Sequence, residues 1–139
     1  MTSGRNETEL DTAVTAMRHW TAGAASGDWR HLIAMLDPDL TFHVPVDGFS
    51  GVRHGVAEAT RFFDHLSAVL RADLTVTSTL HGMAHGDTGG ARVGFEVSVH
   101  GTWLDRPFDQ ALCLVFVVGD GRLQAFHEYL AWPGGLDPS

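Results

Sequence analysis

The apolar positions of the chain fall into two periods, one helical in the first half and one strand-like in the second. From Glu7 to about Ala25, Leu10, Val14, Met17 and Trp20 recur at helical spacing, with Ala13 and Ala24 on or near the same stripe. The segment Ala25-Ser26-Gly27-Asp28 ends this helix. Gly27 supplies a left-handed residue, and Asp28 is placed to cap the next helix. Trp29, Leu32, Ile33 and Leu36 mark that short second helix, broken by Asp37-Pro38-Asp39. Leu40, Phe42 and Val44 alternate with Thr41, His43 and Pro45, which reads as a strand with the proline at its end or edge. Residues 47–55 form a loop. Phe62, Phe63, Leu66, Val69 and Leu70 predict a third helix over 56–70.

The second half alternates with period two. Strands are predicted over 72–85, 91–103, 108–118 and 123–132, separated by short turns rich in Gly and Asp. Helices gathered on one side of such an antiparallel meander give an α+β domain. At 139 residues the chain fits one domain over 1–139, with residues 1–7 polar and loose. No internal repeat or low-complexity tract interrupts it.

Composition narrows the function classes. Apolar residues make up 44% and charged residues 19%, which fits a folded globular protein. The formal charge is −8, and no cluster of basic residues opposes it, so nucleic acid and anionic membranes are poor partners. A small neutral or hydrophobic ligand suits this balance. No apolar run reaches the roughly 18 residues that span a bilayer, and the N-terminus lacks a signal-peptide pattern. Cys113 is the lone cysteine, amid apolar neighbours. It reads as a buried, inert thiol and, with no intrachain disulfide, fits a cytoplasmic location. "GDGR" at 119–122 is a hairpin turn rather than a phosphate loop, and no Ser-His-Asp order is visible. His81 and His85, four apart in a strand broken by Gly82, do not make a metal site.

The stretch "PFDQALCLVFVVGDGRLQAFHEYL" (107–130), with "FHVPVDGFSGVRHG" before the third helix, resembles the SnoaL-like group of the nuclear-transport-factor-2-like superfamily. The resemblance covers roughly residues 10–133. It implies a cone: a curved antiparallel sheet closed by three N-terminal helices around a pocket, often dimeric through the outer sheet face, so a homodimer is expected. One such fold hosts polyketide cyclases, ketosteroid isomerases, epoxide hydrolases, dehydratases and plain binders, so function has to come from the pocket.

Comparison with the epoxide hydrolases implies that Glu96, Ser98 and His100 point inward from the second long strand. Gln110, Leu112 and Leu114 do so from the third, and Gln124, Phe126, Glu128 and Leu130 from the last. Glu128 would stand where the hydrolases carry an acidic residue that helps activate water. Trp20, Phe42, His43, Phe62 and Trp103 complete the expected lining. The departures count against two reactions. The steroid isomerases' base position holds Val44 and their oxyanion-hole aspartate has become Leu112 and Cys113. The hydrolases' water-holding Tyr and Asn align with Phe42 and Val44. The resemblance implies a cofactor-free cyclase or isomerase of secondary metabolism acting on a hydrophobic, polyketide-like intermediate. Glu128 would be its acid or base, assisted by Glu96 and His100. Epoxide opening, or binding without chemistry, are the alternatives.

Overall fold

A computed structural model describes residues 2–82 and 91–130, with side chains over 8–80 and 91–130. The element order is α1 (Thr2–Ser26), α2 (Arg30–Ile33), β1 (Leu36–His43), β2 (Arg53–His54), α3 (Val56–Val69), β3 (Leu70–Gly82), β4 (Ala91–Trp103), β5 (Arg106–Gly119) and β6 (Arg122–Leu130). This is the α+β arrangement expected. α1 starts at Thr2, so the N-terminal segment expected to be loose forms its first turns. The His81/His85 pair and the last two residues predicted for the final strand lie outside the described side chains.

The six strands form one open sheet in the order β2-β1-β6-β5-β4-β3. β3 to β6 make the predicted antiparallel meander, but β1 joins β6 in parallel, with Phe42 beside Phe126 and His43 beside His127. A parallel neighbour is what the intervening helix and hairpins allow: the chain returns to β1 only after crossing the whole sheet. The two-residue β2, read from sequence as loop, extends the edge beyond β1.

Turn chemistry fixes the register. Trp103 pairs with Arg106 around Leu104-Asp105, both at positive φ (53° and 63°). Gly119 pairs with Arg122 around Asp120-Gly121, at 54° and 72°. Two positive-φ residues make the two-residue hairpin whose twist matches the strands it joins. In the β5–β6 hairpin the register then slips between Val117 and Val118, leaving Gln124 as an extra residue. Leu123 faces in before this bulge, and Phe126, Glu128 and Leu130 share the inward face after it.

The inner face of the sheet packs against the helices around Trp20. Its ring meets Trp29, Phe63 and Phe126 edge-on at 5.6, 5.4 and 5.2 Å, and lies 5.7 Å from Phe116. Phe42 stacks on Phe126 at 4.9 Å. Gly23 admits Trp29 against α1: a Cβ there would sit 2.4 Å from the indole. Gly27 takes the predicted left-handed conformation (φ 84°) and its N–H donates to Gly23 O. Asp28, expected to cap α2, lies one residue too early: the N-cap is Trp29, with no side-chain cap, and Asp28 Oδ1 accepts the Arg30 N–H at 3.1 Å from outside the helix.

Candidate functional site

The aromatic core fills one end of the cone, and beyond it the sheet and helices diverge. A cavity of about 430 Å³ opens there, a size that suits a small organic ligand. β6 supplies Glu128 and Leu130, β5 Phe108, Gln110 and Leu112, and β4 Val99 and Trp103. α3 supplies His65 and Leu66, and the segment after β1 supplies Pro45, Val46 and Asp47. Trp20 closes the inner end. Among the described residues the wall is apolar except for four side chains: Asp47, His65, Gln110 and Glu128.

Glu128 dominates the chemistry. It pairs with Leu114, a fully buried residue, and its neighbours on the same face are Phe126 and Leu130. Among the described residues no side chain donates a hydrogen bond or an ion pair to it. Desolvation therefore acts unopposed, and burial pushes its carboxyl up from 4.5 to about 7. What accessibility the side chain keeps is towards the cavity it lines.

His65 is half-buried, with its ring 6.2 Å from Trp103 and 5.8 Å from Phe49. The cavity wall near Asp47 is held by a cluster below it. Phe49 is buried against Phe62 at 5.3 Å, and the guanidinium groups of Arg61 and Arg53 lie 5.1 and 5.9 Å from its ring centre. Arg53 also donates to Gly48 O and Ser50 O and bridges to Glu58 at 2.8 Å. These bonds give fixed form to a loop that contains two glycines and would otherwise be free.

Six of the thirteen residues expected at the site line the cavity: Trp20, Trp103, Gln110, Leu112, Glu128 and Leu130. The β4 assignment is overturned. Val93, Phe95, Val97 and Val99 are buried, while Glu96, Ser98 and His100 stand exposed on the outer face. Residues directly opposite in an antiparallel pair share a face. Val97 opposes Leu112 and Val99 opposes Gln110, so inward-facing Leu112 and Gln110 require inward-facing valines. His100 binds Asp109 on the outer face instead, both well exposed. Phe42, Phe62 and Phe126 face inward but belong to the packed core and do not line the cavity. His43 lies on the outer face with Tyr129, ring centres 6.3 Å apart, beside His127. Cys113 also faces outward; burial and the nearby Glu96 raise its thiol pKa and keep it unreactive.

A model of the SnoaL-like domain matches residues 17–126. The chain belongs to the SnoaL-like domain family. Solved structures agree with that fold. A nuclear-transport-factor-2-like protein from Anabaena variabilis is 25% identical with a TM-score of 0.75, over 91% of this chain and 92% of its own. An isomerase candidate from Bacillus subtilis is 17% identical with a TM-score of 0.68, over 88% of each chain. An LEH-like epoxide hydrolase from Mycobacterium tuberculosis is 19% identical with a TM-score of 0.64, over 87% and 84%. No curated protein matches the sequence. These likenesses show the fold, and the reaction has to be argued from the side chains of the cavity.

Two of the four polar groups, His65 and Asp47, are not among the residues the sequence points to. His65 was within reach, since it lies three residues after Phe62 and next to Leu66, at the margin of the apolar stripe of α3. Asp47 sits in a loop with no period to read.

Proposed function

We propose that this SnoaL-like protein is a cofactor-free enzyme that binds a hydrophobic, carbonyl-bearing small molecule in the cone and rearranges it by proton transfer through Glu128. The observation that carries this reading is Glu128 itself: a carboxylate without a hydrogen-bond or ion-pair partner among the described residues, on a mostly apolar cavity wall, held near pH 7 by desolvation. A base poised there is ionised in a useful fraction at neutral pH. It is also basic enough to take a proton from carbon next to a carbonyl, and its conjugate acid can return that proton elsewhere. Gln110, on the neighbouring strand, has an amide N–H to offer the developing enolate oxygen. The apolar walls formed by Leu66, Leu70, Leu112 and Trp103 would hold a flexible substrate in one reactive conformation. Isomerisation and ring closure both follow from these steps, and a polyketide-like intermediate of secondary metabolism is the substrate class we favour.

The chain contains no lysine, so none is available for a Schiff base. Glu96 and His100, on the opposite face of the sheet, take no part.

The test is Glu128→Gln assayed with hydrophobic ketones that carry an acidic α-C–H, following exchange of that hydrogen with deuterated solvent. Loss of exchange by about 10²–10⁴-fold is expected, the range for removing a general base. Full exchange in the variant would sink the acid/base role and leave the cavity as a binding site.

A further inference from the structure

We propose that the ligand of this cavity carries a positive charge: a hydrophobic amine, bound as its ammonium ion. The inference rests on the reading of Glu128 as the working carboxylate and adds to it the substrate's charge. Two carboxylates, Glu128 and Asp47, line the cavity, and among the described residues lining it there is no arginine to balance them. Asp47 is exposed at the solvent end, and Glu128 lies further in without an ion-pair partner. Three aromatic rings share the wall: Trp20, Trp103 and Phe108, the last two with centres 5.7 Å apart. Aromatic rings beside carboxylates that no arginine balances are surroundings that favour an organic ammonium over a neutral isostere. The same surroundings disfavour a carboxylate or phosphate, which would meet Asp47 at the mouth and Glu128 further in.

The charge also serves the chemistry. Desolvation opposes ionisation of Glu128, and a bound cation favours it. An ammonium in the cavity would hold Glu128 as the carboxylate at neutral pH, the form a base requires. Binding and activation are then coupled: the amine itself prepares the base. The other titratable groups facing the cavity are Asp47 and His65. The ammonium pairs with the ionised form of Glu128, so binding strengthens as pH rises through the range in which that carboxyl ionises.

Three probes of one shape test this on the whole protein by calorimetry: cyclohexylmethylamine, cyclohexylmethanol and cyclohexanecarboxylate. The amine is expected to bind at least tenfold tighter than the alcohol, and the acid not at all. Between pH 6 and pH 8 the amine's affinity should rise several-fold while the alcohol's stays constant. In Glu128→Gln the amine and the alcohol should bind within about twofold of each other, and retained alcohol binding shows that the cavity is intact. Asp47→Asn should reduce the preference in part. Equal binding of amine and alcohol by the unmodified protein, an amine preference that survives Glu128→Gln, or binding of none of the three would overturn the proposal. The catalytic reading fails separately. A Glu128→Gln protein that keeps its exchange activity but loses the amine preference would leave the cation site assigned to Glu128 and remove the reading of Glu128 as the base.

Discussion

Glu128 shows how one residue acquires a property from its surroundings alone. Nothing in its own chemistry differs from Glu96, yet Glu96 stands in solvent and Glu128 is enclosed. The two therefore make opposite predictions. Glu96→Gln and His100→Gln, on the exposed outer face, should change activity less than twofold and stability by no more than about 0.5 kcal/mol. Glu128→Gln should remove activity and, at neutral pH, raise stability. The unfolded chain releases this proton near 4.5 and the folded protein near 7, so folding is opposed by ionisation as pH rises between the two. Below pH 4.5 both states are protonated and the variant gains nothing. Above pH 7 its gain levels off at about 3 kcal/mol. Urea denaturation of both proteins at pH 4 and pH 8 reads the difference directly.

At the scale of elements, period and turn residues make most of the architecture legible. β4 is predicted over 91–103 and is found there, because its valines alternate and Gly/Asp turns bound it. The face of β4 is also present in the sequence, in the two-residue Leu104-Asp105 turn that places Val97 opposite Leu112. An orientation borrowed from distant hydrolases overrides that local information and puts Glu96, Ser98 and His100 on the wrong side. β6 shows the opposite case. A strict alternation from buried Leu123 would point His127 and Tyr129 inward, and only the bulge at Gln124 turns Glu128 to the cavity. The parallel partnership of β1 with β6 depends on distant contacts that no local pattern encodes. Helix packing yields its own prediction. Gly23→Ala puts a methyl group into the Trp29 ring and should cost about 1–3 kcal/mol by overpacking, seen as a lower melting temperature.

For the whole molecule, the core and the cavity divide one cone between them. Trp20 belongs to both: it packs against four aromatic rings and closes the inner end of the cavity. Trp20→Ala should therefore cost about 3–5 kcal/mol of stability and also weaken ligand binding, whereas Trp103→Ala should weaken binding with less effect on folding. Thermal unfolding with and without a saturating hydrophobic ligand separates the two effects, because a ligand that binds only the folded state raises its stability. The division also explains why the candidate site is only partly legible in the sequence. Whether an inward side chain lines the core or the cavity depends on where the helices lift away from the sheet. Phe126 and Leu130 share one strand face, and that separation alone assigns them to different parts of the molecule.

The proposed chemistry depends most directly on the protonation of Glu128, and carbon-13 NMR of its side-chain carboxyl across pH 3 to 9 measures it. A midpoint near 7, in a protein folded throughout that range, is the result expected. A midpoint at or below 4.5 would mean that water or a partner group stabilises the carboxylate, and the cavity would lose its base.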